Sequence, residues 1–313
     1  MLRLDLIDPL ISGNKWFKLA HHLAAASEAG AQGVISLGGA HSNHLHALAA
    51  AGKRFGFATV GLLRGHAVET PTTEDLQAFG MQLHWLGYSG YRARHEPDFW
   101  EPWLTQYPDF YPIPEGGGGL PGALGCDGLR VMVSDQLSSL DWDDYHGWWL
   151  AAGTGTTLAG LVLAEAGERE VYGAMAVPDD HGVAQNVAQI CGLPPTCGSK
   201  LACESDGSCS KDGSDVRASS RASSLPQEVY FKLDGHAYHL INASRGGFAK
   251  TDPALLDFIA TSEAQSGISL EPLYTGKALM ALHDEVVAGR FPPGTRLIFV
   301  HTGGLQGRRA MGL

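Results

Sequence analysis

No uninterrupted apolar stretch in this chain of 313 residues comes near the roughly 20 residues that a bilayer-spanning helix requires. The opening Met1-Leu-Arg-Leu-Asp-Leu does not form the apolar core of a secretory leader, so a cytoplasmic protein is expected. Basic residues are scarce, 22 Lys and Arg against 33 Asp and Glu for a formal net charge of -11, and they form neither a block nor a basic-aromatic stripe. Nucleic acid and anionic membrane surfaces therefore find no electrostatic footprint, and small molecules are the expected ligands. Cysteine is sparse as well. Four of the five, Cys191, Cys197, Cys203 and Cys209, recur at intervals of six within one polar stretch. That is not the close pairing of a zinc knuckle, and a cytosolic compartment favours free thiols over disulfides. Two nucleotide signatures are also missing: the Gly-Lys-Ser/Thr ending of a P-loop and the full spacing of a dinucleotide fingerprint.

What is present is a composition with 44% hydrophobic and 18% charged residues, enough to build one large or two moderate globular domains. Apolar residues recur at helical spacing from Trp16 to Gly30, and Gly33 to Leu37 then reads as a short buried strand. A helix from His41 to Ala51, a strand from Phe57 to Leu63, a helix from Glu74 to Phe79 and a strand from Gln82 to Leu86 follow. After the Gly-rich break Glu115 to Gly119, which reads as a hinge, an approach to a site or a plain linker, a helix is expected near Leu129 to Leu137. Strands are expected at Gly147 to Ala152, Val171 to Val177 and Arg296 to His301, with an apolar helix from Leu158 to Glu165. Alternation of this kind predicts an α/β architecture of open parallel sheets with helices on both faces. Residues 193–227 turn to Ser, Gly, Cys, Asp and Lys with hardly an aliphatic side chain. Such a segment cannot offset its ordering entropy by burial and is expected to be a mobile insert.

Three Gly/Ser/Thr-rich turns, Gly38 to Asn43, Gly153 to Thr157 and Thr302 to Gly304, each follow an expected buried strand. In a parallel sheet this puts all three at the carboxyl ends of strands, where open α/β sheets bind ligands. Gly153-Thr154-Gly155-Thr156-Thr157 also opens a helix, so its N–H groups and hydroxyls suit a phosphate dianion, although the same pattern serves as an ordinary connection. Lys15 and Lys18 stand one helical turn apart. A lysine at a helix start is usually a solvated charge, but burial and a neighbouring cation lower its pKa and make it a nucleophile towards aldehydes. His41, His44 and His46 do not share a helical face and are not read as a metal triad. Trp148-Trp149 reads as buried strand, and the aromatics from Trp85 to Tyr91 as packing.

Five ordered motifs add a resemblance: Ser12-Gly-Asn-Lys-Trp-Phe-Lys-Leu19, Gly38-Gly-Ala-His-Ser-Asn-His44, Gly153-Thr-Gly-Thr-Thr-Leu-Ala-Gly160, Glu271-Pro-Leu-Tyr-Thr-Gly-Lys-Ala278 and His301-Thr-Gly-Gly-Leu-Gln-Gly307. Together they resemble the 1-aminocyclopropane-1-carboxylate deaminase and D-cysteine desulfhydrase family of pyridoxal 5′-phosphate enzymes. The resemblance implies the two-domain, tryptophan synthase β-like fold (fold type II), with a larger cofactor domain from residues 1–25 and 113–313 and a smaller domain from 26–112. It implies that Lys15 is the Schiff-base lysine, that Asn43 bonds the cofactor's phenolic oxygen, and that Ser42 lies beside the substrate carboxylate with a catalytic role in some members. By the same resemblance Gly153 to Thr157 is the phosphate cup and Tyr274 faces cofactor and substrate, for acid/base work or for activating the nucleophile. A homodimer is usual in the family, and no metal is implied.

Departures from the pattern narrow the activity. Where ring-opening members carry glutamate, a partner for the pyridine nitrogen, this chain has Thr275, as desulfhydrase-like members do. Phe248 stands where a second active-site tyrosine is expected. The resemblance then implies β-elimination from a small amino acid, such as D-cysteine, to give a 2-oxo acid and ammonia. The cyclopropane deaminase and a non-catalytic cofactor-binding protein are the alternatives. Only fourteen residues precede Lys15, where the family has a strand and further chain, which implies a misplaced start codon or a shortened amino-terminal edge.

Overall fold

The computed structural model describes residues 1–192, 228–233, 236–247 and 249–310. The chain opens with a short strand, β1 (Leu2–Arg3), and the helix α1 (Asn14–Glu28) that carries both early lysines. It continues through β2 (Gly33–Gly38), α2 (Asn43–Phe55), β3 (Ala58–Leu63), α3 (Pro71–Ala78), β4 (Gln82–Trp85), α4 (Gly87–Arg92), α5 (Glu101–Gln106) and β5 (Phe110–Pro112). The strands β4-β3-β2-β5, in that order, form a sheet in which every neighbour is parallel. All six residues of β2 are buried because it is a central strand covered on both faces. Val34 packs with Leu45, Leu48 and Leu76 on one side, and Ile35 and Leu37 with Tyr91 and Phe99 on the other. Of the aromatic run, Trp85 and Tyr91 pack against these clusters, and Tyr88 is exposed.

A second sheet holds β1, β6 (Gly147–Ala152), β7 (Glu170–Met175), β8 (Glu228–Leu233), β9 (His236–Asn242) and β10 (Leu297–His301), in the order β1-β10-β6-β7-β9-β8. Its helices are α6 (Gly119–Leu124), α7 (Asp127–Leu137), α8 (Thr156–Glu165), α9 (Val183–Ile190), α10 (Pro253–Ser266), α11 (Thr275–Val287) and α12 (Gln306–Ala310). Trp148 and Trp149 show how the faces are divided, since successive side chains of a strand point to opposite sides. Trp148 donates its indole N–H to the buried carboxylate of Glu165 on α8 (2.7 Å), and Trp149 donates to the carbonyl of Ala278 on α11 (2.8 Å). The sheet departs from the all-parallel expectation at one edge, where β8 runs antiparallel to β9. Only two residues separate these strands, too few for the crossover that a parallel neighbour needs.

Helix ends agree with local chemistry where a capping residue exists. Ser42 caps α2 by accepting from the Leu45 N–H, Thr70 and Thr73 form a reciprocal capping box at α3, and Asp252 caps α10. No described helix is long and apolar enough to cross a membrane. The expected insert at 193–227, with Cys197, Cys203 and Cys209, and the expectation for Phe248 lie outside the described residues; Cys126 and Cys191 are free thiols.

The helices beneath the Gly153 to Thr157 turn are set by one close crossing. A Cβ on Gly160 of α8 would fall 2.3 Å from the carbonyl oxygen of Ala123 on α6 and 2.7 Å from Cys126 Cβ, so only glycine permits this approach. Gly160→Ala is expected to destabilise the protein by about 1–3 kcal/mol, an overpacking cost. Chemical denaturation of the two proteins measures it.

Candidate active site

Three strand-end turns meet at the start of α1. Gly13 precedes that helix with φ +73°, and a Cβ there would lie 1.9 Å from the Thr302 carbonyl oxygen. The Asn14 N–H donates to that same oxygen (3.0 Å) and its side-chain amide donates to Thr157 Oγ1 (2.9 Å). Gly304 leaves room for Asn43, whose Nδ2 would be 2.4 Å from an added Cβ. On the far side, Gly153 backs onto the Tyr274 ring, 2.9 Å from a Cβ at 153 to Cε1. Lys15, Asn43, the Gly153 to Thr157 turn and Tyr274 are thus drawn around one point from four separate parts of the chain.

The electrostatics of that point are unusual. Lys18 is fully buried and Lys15 half-buried, and the two amines lie within hydrogen-bonding reach of each other. Loss of solvent lowers the Lys15 ammonium to about 8, with the Cys126 thiol and the hydrogen bond to Lys18 opposing the shift. Lys18 falls well below the ordinary lysine value through burial first and the adjacent Lys15 charge second. Among the described residues no carboxylate pairs with either amine. Two more basic groups, His22 and His44, are buried close by and held towards the neutral form: His22 by burial, against the opposing Gly118 carbonyl, and His44 by burial and then by the two lysines. A cluster of this kind is complementary to a dianion.

Hydrogen bonding fixes the histidine tautomers. Ser36 donates its hydroxyl proton to the Ile113 carbonyl (2.8 Å), so its oxygen can only accept from His44 Nε2 (2.8 Å). His22 Nε2 must likewise donate to the Gly118 carbonyl (3.0 Å). Both Nδ1 atoms are then bare acceptors, and both are buried and unpaired, as is Asn43 Oδ1. His46 turns away from His44 to Asp75 (3.3 Å). The wall opposite is the Gly-rich segment. A Cβ on Gly116 would press on Thr154 Cγ2 at 3.2 Å and approach Lys18 Nζ at 3.8 Å, and one on Gly117 would meet His44 and Lys18 at 3.4 Å. The segment lines the site, a role that glycine content alone did not distinguish from a linker.

The Gly153 to Thr157 turn leaves the first N–H groups of α8 without a side-chain cap. Gly155, in the left-handed conformation at φ +79°, is the N-cap of α8 and offers no side chain, so the first turn is left without a side-chain cap. Thr154 and Thr156 pair their hydroxyls (3.0 Å), and Asn186 donates to the Thr154 carbonyl. Thr157 is different: its hydroxyl is committed to Asn14 and to the Cys126 thiol, leaving its backbone N–H for a ligand. Ser42 Oγ accepts the α2 cap bond (3.2 Å), which leaves its proton free to donate. Thr275 is fully buried, and its Oγ1 accepts the Glu271 N–H (2.9 Å). The two amines, with no carboxylate partner among the described residues, and the uncapped helix start fit a phosphorylated aldehyde that Lys15 can capture.

The family of pyridoxal-phosphate dependent enzymes matches this sequence over residues 1–303. The chain belongs to that family. Among curated relatives, it is 25% identical over 324 residues to the bifunctional D-cysteine desulfhydrase/1-aminocyclopropane-1-carboxylate deaminase of Arabidopsis thaliana, covering 95% of this chain and 70% of the relative. It is 24% identical over 316 residues to the D-cysteine desulfhydrase of Salmonella choleraesuis, covering 97% and 86%. A solved 1-aminocyclopropane-1-carboxylate deaminase homologue superposes with a TM-score of 0.71 at 24% identity, over 98% of this chain and 84% of the other. A fungal L-serine ammonia-lyase from Rhizomucor miehei gives 0.57 at 14% identity, over 97% and 87%. The fold is that of these pyridoxal-phosphate enzymes, parallel sheets with helices on both faces, and the cofactor is pyridoxal 5′-phosphate.

Two outcomes follow from the paired amines. Capture of pyridoxal phosphate by the cofactor-free protein requires neutral Lys15, so its rate, followed by growth of the visible absorbance band, should rise with pH and level off above about 8; Lys15→Ala should give no such band. Burying Lys18 costs stability whenever it is charged. Because its folded pKa lies below the unfolded value, that cost is largest at low pH and fades as pH rises towards 10.5. Lys18→Met should therefore stabilise the cofactor-free protein at neutral pH by about 1–2 kcal/mol while weakening its hold on pyridoxal phosphate. Thermal melts with and without cofactor measure both effects.

Proposed function

We propose that this protein is a deaminating lyase of the D-cysteine desulfhydrase type, removing a β-substituent from a small amino acid to leave a 2-oxo acid and ammonia. The observation that carries this reading is Thr275. The position holds a neutral hydroxyl, fully buried and already engaged by the Glu271 N–H, where ring-opening relatives are expected to place a carboxylate. Pyridoxal phosphate, when bound, supplies an aldehyde that captures amines and a ring that accepts the electrons released when a bond at the α-carbon breaks.

The chain's own groups have separable tasks in this reading. Lys15 Nζ holds the cofactor and, as a free amine near pH 8, takes the proton from the substrate α-carbon. Lys18 Nζ, the N–H groups of Gly153 to Thr157 and the hydroxyls of Thr154 and Thr156 hold the phosphate. Asn43 orients the cofactor through its side-chain amide. Ser42, with its oxygen tied to the α2 N-terminus, donates its proton to the substrate carboxylate. Tyr274 is kept as the neutral phenol by burial and then by the carboxylates of Glu271 and Glu115, so it acts as a proton donor to the departing group. The division into residues 1–25 plus 113–313 and residues 26–112, the homodimer and the cytoplasmic location belong to the same proposal, as does the choice of a small amino acid over a peptide or nucleotide.

The relatives named for both activities make 1-aminocyclopropane-1-carboxylate deamination the second reading. A panel of D- and L-amino acids with β-leaving groups, together with the cyclopropane substrate, separates the two. Sulfide and pyruvate in equal amounts from D-cysteine, lost in Lys15→Ala, is the expected result. Turnover of the cyclopropane substrate alone would reverse the assignment, and a protein that binds cofactor without turning over any of the panel would be a binder.

A further inference from the structure

The turn that presents Tyr274 is built around a buried charge. Helix α11 begins at Thr275, which makes Tyr274 its N-cap, with φ -129° and ψ -71° and no side-chain cap bond of its own. A cap is normally a small polar side chain whose oxygen receives the first free N–H groups, and tyrosine cannot fold back to do this. The bonds are supplied from three residues earlier. One oxygen of Glu271 accepts from the N–H groups of Tyr274 and Thr275 (2.8 Å for the latter), and the other accepts from Leu273 (2.7 Å). The Thr275 hydroxyl returns the favour by accepting the Glu271 N–H at 2.9 Å. Gly276, whose N–H reaches the Glu271 carbonyl at 2.8 Å, sits where a Cβ would lie 2.5 Å from Ile259 Cδ1, so the turn cannot slide.

This arrangement is costly. Glu271 is fully buried, and loss of solvent raises its carboxyl to about 7 in spite of three N–H donors and the Lys277 ammonium. An ordinary N-cap at position 274 would satisfy the helix with no buried charge. Such a residue would remove the phenol whose hydroxyl oxygen stands 3.4 Å from a Cβ on Gly153 at the edge of the phosphate turn.

We propose that Glu271 is a positioning residue: its carboxylate takes over the capping of α11 so that tyrosine can occupy the cap position, and thereby fixes the Tyr274 phenol against Gly153. The inference rests on Tyr274 handling a proton in the proposed reaction, but its geometric part stands without turnover. Lys277, in the first turn of α11, ties the helix to a different segment, donating to the carbonyls of Ser244 and Gly247 at 2.8 Å each.

The test uses the cofactor-loaded protein with 3-fluorotyrosine at position 274, read by fluorine NMR, beside a double-mutant cycle on kcat/KM. Glu271→Gln, whose amide has one acceptor oxygen where three N–H groups must be met, should shift or broaden the fluorine resonance while leaving the cofactor absorbance in place. It should lower kcat/KM about tenfold or more in the parent and by less than about twofold in a Tyr274→Phe background. An unmoved resonance, or losses that multiply in the double variant, would overturn the proposal. If the amide variant does not fold, Glu271→Asp, which keeps the charge and withdraws both oxygens by one methylene, must displace the resonance. A displaced resonance in a protein with no turnover would sustain the positioning role and refute the catalytic reading instead.

Discussion

Two amines forced together out of water, with no carboxylate among the described residues to neutralise them, are the constraint on which the site depends. Everything near Lys15 and Lys18 is arranged either to hold them in place or to remain out of their way. The glycines of the 116–118 segment keep the wall thin, and the crossing at Gly160 brings α8 close enough for its bare amino end to face the same point. Isolated, this is a strained and expensive interior. A phosphate dianion held there, as proposed, would turn the repulsion into attraction.

The frame that allows this is ordinary α/β geometry. Parallel strands deliver their carboxyl ends to one side, and β2, β6 and β10 each finish in a glycine-rich turn there. Helix α1 lies between the two units: it packs with α2 and α6, and its first residue is tied to the turns that follow β6 and β10.

Much of the architecture was legible in residue order because buried strands of a parallel sheet are written as short apolar runs. Gly147 to Ala152 was read at its true limits, and β2, β3, β4, β7 and β10 within two residues at each end. The short edge strands Leu2–Arg3 and Phe110–Pro112 carry too few residues to show a pattern, and α11 escaped notice because its cap lies at Glu271 and not at the helix start. Site legibility divides along similar lines. Lys15, the Gly153 to Thr157 turn and Tyr274 stand in contiguous motifs, but Cys126, His22 and the Gly116 to Gly118 wall join the cluster only through tertiary packing. Burial of Lys18 could not be deduced either, because a lysine on an amphipathic helix looks the same whether it meets water or a second amine.

The seam between the two extremes of the described chain has an implication for biogenesis. β1 pairs with β10, Asp5 meets the buried His301, and Asn14 is tied to Thr302, so the platform under Lys15 is supplied by residues made almost three hundred positions later. During translation the amino-terminal helix must wait on the ribosome with its two amines uncovered, since the strand that seats it does not yet exist. The seat of α1 is thus complete only once Thr302 has been made, near the end of synthesis.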